Sequence, residues 1–196
     1  MSKTRLLINL FILLSCLVSQ GGFASKKASE TNLENIERTS VDSAADRERL
    51  QLAAVLLANY EIEAGKLVDR LDSKDISGDN IKLDAEKLLS LSEEVIDSAR
   101  FRLPQCDKYL AMTVTLKDQL QRISHETLEH DYHQDGALPK APAECYHTKD
   151  LFVHPATVIV LTRDDPALTT ETRENIRAEI NEVLAHTEVV RQLVFY

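Results

Sequence analysis

The chain has 196 residues, with 32 acidic against 23 basic side chains and a formal net charge of −9. A field of that sign repels phosphate backbones and anionic headgroups, which argues against nucleic acid and membrane surfaces as partners and does not exclude cationic ones, metal ions included. Five Phe, five Tyr and no Trp make a sugar-stacking or aromatic-cage site a poor fit.

The basic start Met1–Arg5, the apolar run Leu6–Val18 and the small residues Gly21–Ala24 have the order of a secretory signal peptide, expected to be cut after Ala24. Residues 1–24 are therefore read as leader, and the exported chain is placed in the periplasm. Removing Lys3 and Arg5 takes two of the 23 basic side chains and leaves a net charge of −11. Leu13-Leu14-Ser15-Cys16 also reads as a loose lipid-attachment box, so a membrane-anchored form with its lipid on Cys16 is the alternative localisation. Residues 25–45 are polar, with Leu33, Ile36 and Val41 as the large apolar side chains, and read as a mobile arm. Residues 46–196 are expected to form a single domain.

Helical spacing dominates that domain. Leu50, Ala53, Leu57, Tyr60, Ala64, Leu67 and Leu71 recur at steps of three and four and predict one helix; Ile81, Ala85, Leu88, Leu91, Val95 and Ala99 predict a second, stopped by Pro104. Asp107 is a candidate N-cap for a third helix through Tyr109, Met112, Leu116, Leu120 and Ile123, whose stripe extends to His130 and ends at His133. Ala137–Glu144, with two prolines, predicts an extended crossover. Tyr146–Thr162 could hold a strand at Val158-Ile159-Val160, but Leu151, Val158 and Leu161 keep helical spacing; Pro155 must kink that helix or lie in its first turn. Asp165-Pro166 leads into a last helix with Ile176, Ile180, Val183, Leu184, Val190 and Leu193 on its buried face. The expected fold is all-α: an up-and-down bundle of four main helices plus one shorter or kinked helix, with a long Pro-containing crossover.

Cys106 and Cys145 are the two cysteines outside the leader, and in an oxidising compartment an even pair predicts a disulfide. The link constrains the path. A helix from Asp107 to His133 would be about 40 Å long. The chain must then either retrace that length to bring Cys145 back to Cys106 or end the helix early. In both cases the next helix starts beside the third and runs parallel to it.

The three glycines after the leader, Gly65, Gly78 and Gly136, are too scattered for a phosphate-cradling loop or a nucleophile elbow, and bonded cysteines remove thiolate catalysis. Histidines carry the remaining chemistry. Glu126, His130 and His133 share one helical face and form a competent set for Zn²⁺, Cu²⁺ or Ni²⁺, with His147 and His154 as a second pair one heptad apart. A continuous third helix would hold the two groups at different heights, so the disulfide and one shared site compete unless His125–His133 lies on a returning segment. The bland alternative makes His130 and His133 last-turn histidines and His147 and His154 core-edge ones; His186 has no ligand-type helical neighbour in this reading and counts as structural. No motif fixes a reaction. The expectation is a periplasmic helical binding protein, transition-metal-binding through this His/Glu cluster, with a structural or protein-interaction module of the cell envelope as the alternative.

Overall fold

The computed structural model describes residues 36–196; the leader with Cys16, and the arm as far as residue 35, lie outside the described residues. All regular structure among the described residues is helical. Ser43 opens α1 (Ala44–Arg70) with a capping box, its hydroxyl accepting from Asp46 N while the Asp46 carboxylate accepts from Ser43 N. The stripe from Leu50 to Leu71 is buried as its spacing demands. Ser77 caps α2 (Gly78–Arg102), which stops before Pro104. Residues 36–42 are laid down rather than free: Thr39 N donates to Arg102 O at 2.9 Å, and Arg38 Nε to Leu193 O at 3.1 Å.

The expected third helix breaks. α3 (Asp107–Val114) tightens into a 3₁₀ turn at Thr115–Gln119; Ser124 then caps a single-turn α4 (His125–Leu128) that widens into a π turn at Glu129–His133. The reason is a five-residue step in the buried positions, from Ile123 to Leu128 and on to Tyr132, which no single helical stripe accommodates. His130 is exposed instead of continuing the stripe, and Met112, expected in the core, is 43 % exposed. Of the two paths open to the chain it takes the early ending.

The landmarks along α5 (Glu144–Asp164) trace that path. Cys106 is bonded to Cys145 at the foot, with Cα atoms 5.4 Å apart, and Arg163 near the top donates to Leu120 O at 2.7 Å. The outgoing limb thus runs parallel to α5, as the disulfide requires. The returning limb is caught by the buried ammonium of Lys149, which donates to Tyr132 O (2.8 Å), His133 O (3.0 Å) and Asp135 Oδ1 (3.0 Å). Asp135 takes a left-handed backbone (φ 62°), and Gly136 follows where a Cβ would lie 2.6 Å from the His130 carbonyl oxygen, so only glycine fits.

Helix α5 packs on α2 and on α6 (Thr170–Phe195), while α1 packs on the same two neighbours. With the two limbs covering its remaining side, every residue of α5 from His147 to Val160 is buried. Its polar side chains must therefore find partners inside the protein. Pro155 sits in mid-helix and has no N–H to give the carbonyl four residues back. That carbonyl, Leu151 O, accepts instead from the buried Tyr60 hydroxyl of α1 at 3.0 Å.

Two stability outcomes follow. Tyr60→Phe leaves Leu151 O unsatisfied and is expected to cost about 1–3 kcal/mol in urea unfolding. Pro155→Ala, which restores the missing donor, should shrink that cost; additive losses would contradict the pairing. Replacing both cysteines by Ser opens a loop with a sequence separation of 39, and should lower stability by about 4 kcal/mol in the chain-entropy description. An unchanged midpoint in the non-reduced comparison would contradict it.

Candidate metal centre

Three elements aim ligand-type side chains at one stripe between α5 and α6. Steps of three and four place His147, Asp150 and His154 on one face of α5, and Glu179, Glu182 and His186 on one face of α6. The π turn, fixed by the Lys149 clamp, adds Glu129 and His133.

At the outer end, His154 Nδ1 lies 2.8 Å from Glu179 Oε2. His133 Nε2 is 3.6 Å from the same oxygen and 3.5 Å from Glu129 Oε1. The two imidazoles meet edge-on, with centroids 4.9 Å apart. Taking one ligand atom from each, His133, His154 and Glu179 fall within 4.8 Å of one another. A tetrahedral ion at 2.0–2.2 Å from its ligands needs them about 3.4 Å apart, so small side-chain rotations close this set around one ion. His133 Nε2 is also 2.9 Å from Thr157 Oγ1, whose hydroxyl donates to Val153 O at 3.1 Å; the ring nitrogen therefore donates to Thr157, and coordination would exchange that bond for one to the metal.

Toward the interior the stripe continues. Asp150 Oδ2 is 2.7 Å from His186 Nδ1, near enough for strong attraction although the N–H is not aligned for a hydrogen bond. The His186 ring stands edge-on to His147 at 4.8 Å and to His154 at 6.0 Å.

Burial and charge sort the protonation states. Burial drives the His133 imidazolium down to about 4, helped by the neighbouring His154. Burial pulls His154 the same way, but its bond to Glu179 and the charges of Asp150, Glu179 and Glu182 outweigh it and hold its pKa above the usual histidine value. Burial raises Asp150 and Glu179, and the facing imidazoles more than offset this, so both stay ionised below the ordinary carboxylate range. His147 is lowered, first by burial and then by His186. The stripe thus holds ionised carboxylates beside imidazoles, the composition of an N/O site for a borderline divalent ion.

Of the residues singled out in the sequence, His133 and His154 come together, and His147 joins the inner end. Glu126 and His130 are exposed and stand apart, His130 contacting Asp131 at 2.8 Å. Glu179, Asp150 and His186 were not anticipated. The expectation that His186 has no ligand-type neighbour on its own helix overlooks Glu182 and Glu179, four and seven residues before it; the same spacing around Asp150 is likewise a usable signal. Comparison with protein-family models, curated proteins and solved structures found no match to this chain.

The protonation of His133 has a measurable consequence in the metal-free protein. Its folded pKa of about 4 lies below the unfolded value of 6.5, so between those limits the unfolded chain binds more protons and stability falls as pH falls. Between pH 7 and 4.5 in chelator the contribution should reach about 2–3 kcal/mol. His133→Gln should flatten the decline by that amount; an identical pH profile in the variant would contradict the assignment.

Proposed function

We propose that this chain is a periplasmic metal-binding protein, an exported up-and-down bundle that holds a transition-metal ion of the Zn²⁺, Cu²⁺ or Ni²⁺ class through His133, His154 and Glu179. The observation that carries the reading is the convergence of those three side chains from three separate elements, with ligand atoms inside 4.8 Å. Two imidazoles and a carboxylate leave a fourth position, which Glu129 or a water can take. The side chains of His133 and Glu179 are 13 % and 19 % exposed, so an ion has a way in. Supporting the compartment are the leader-like start and the Cys106–Cys145 bond, which persists where glutathione does not reduce it. Short connections after α1 and α5, and the disulfide between the end of α2 and the start of α5, support the alternating helix directions. No helix among the described residues is long and apolar enough to cross a membrane.

A second reading, an envelope interaction module, draws on Leu52, Val55 and Ile62, each more than half exposed along the outer face of α1. It predicts partner capture that survives chelator, which the metal reading does not require.

Loading the chelator-stripped full chain with Zn²⁺, Cu²⁺ or Ni²⁺ should give tight binding in calorimetry, abolished or weakened at least 100-fold by His154→Ala. Changing Glu126→Gln together with His130→Ala should leave affinity unchanged. Binding displaces the His154 proton, so affinity must weaken as pH is lowered. Absence of binding for all three ions, or full affinity in His154→Ala, overturns the reading.

A further inference from the structure

Asp150 is fully buried; its Oδ2 has the ion-pair contact with His186 Nδ1 at 2.7 Å, out of hydrogen-bond alignment, and its Oδ1 accepts no hydrogen bond among the described residues. The Lys149 ammonium stands 3.5 Å away, but its three N–H groups are already given to Tyr132 O, His133 O and Asp135 Oδ1. Lys149 thus supplies charge to Asp150 without supplying a donor. His147 Nδ1 is buried with no hydrogen-bond partner among the described residues, and His186 Nδ1 has only its unaligned contact with Asp150. Polar atoms without an aligned partner at this depth are costly, and besides Arg102 Nε, Gln105 Oε1 and Thr148 Oγ1 those among the described residues belong to Asp150, His147 and His186. The last three side chains are of the type that ligates a borderline divalent ion. Asp150, His154 and His186 each bring a ligand atom within 4.8 Å of the others, and the His147 ring stands 4.8 Å from His186.

We infer that Asp150 and His186 form a second, inner transition-metal position, that it shares His154 with the outer one, and that His147, its ring beside His186, borders it. The stripe is then a two-ion centre: an ion is captured at the half-open position of His133 and Glu179 and retained at the enclosed position of Asp150 and His186. The outer half of this statement rests on the function proposed above; the inner half stands on the unsatisfied atoms. Sharing His154 requires its imidazolate form, so both ring protons pass to solvent as the two ions bind at Nδ1 and Nε2, and the ions then lie about 6 Å apart, near enough for magnetic coupling.

The probe is Zn²⁺ alone, added to the chelator-stripped full chain and counted by native mass spectrometry. Two ions per chain are expected, released to EDTA in a fast and a slow phase. Asp150→Asn with His186→Gln should remove one ion and the slow phase; His133→Gln with Glu179→Gln should remove one ion and the fast phase. A parent chain that takes a single ion and keeps it after Asp150→Asn and His186→Gln overturns the inner position. A single ion lost in that variant but kept without His133 and Glu179 supports the inner position and overturns the outer one. No bound ion overturns both. Should the inner variant fail to fold, Cu²⁺ titration of the unaltered protein decides: the paramagnetic resonance intensity should fall short of doubling at the second equivalent, and full doubling overturns the shared centre.

Discussion

The buried ammonium of Lys149 is the interaction on which the arrangement of this protein turns. Its three hydrogen bonds go to the returning limb, and its charge stands 3.5 Å from Asp150. One side chain therefore fixes where His133 is delivered and lets Asp150 remain ionised in the core. A buried lysine is tolerated only when each donor has an acceptor and a counter-charge is close, and both conditions hold here. Tyr146 adds its ring face 4.0 Å from the same ammonium. The clamp is joined by Tyr109 OH donating to Asp135 Oδ1 at 2.7 Å and Gln119 Nε2 to Tyr132 OH at 2.8 Å, which tie the returning limb to the outgoing one.

Enclosure of α5 explains why the polar stripe exists at all. A helix packed on two neighbours usually keeps one solvated face; this one has that face covered by the outgoing and returning limbs. His147, Asp150 and His154 are thereby withdrawn from water and face α6. The molecule handles the ordinary backbone defect of Pro155 with a single hydroxyl from Tyr60, leaving Leu151 O satisfied. Among the described residues Asp150 has no aligned donor, only the His186 ring nitrogen 2.7 Å from Oδ2 and the Lys149 charge. That contrast, a few residues apart on one helix, is the observation behind the proposed inner position.

Much of the scaffold was legible in the residues. The stripes of α1, α2 and α6 are long, regular and closed by Ser43, Ser77 and Thr169 caps, so local spacing and tertiary burial agree. The disulfide followed from an even cysteine pair in an expected oxidising compartment, and the parallel course of α3 beside α5 from chain reach once that link is made. What misled was the middle: Ile123 to His130 keeps helical spacing, and only the competing step to Leu128 and Tyr132, with Ser124 positioned to restart a helix, marks the break. The site was half legible for the same reason. His133 and His154 could be named, but their meeting depends on the limb reversing, a non-local event. Asp150 and Glu179 lie in no motif that separates them from other helical carboxylates, and His186 reads as structural on spacing; their meeting depends on how α5 and α6 pack under the covering limbs.

Proteins that bury charge in this way need either a strong internal partner or a ligand, and the distinction is visible directly. Crystals of the zinc-loaded protein, measured on both sides of the zinc absorption edge, put the question to the stripe itself. The account requires an anomalous peak within about 2.2 Å of a His154 ring nitrogen, with only nitrogen and oxygen ligands around it. A zinc-saturated crystal whose anomalous peaks lie elsewhere, with His154 still bonded to Glu179, would contradict it.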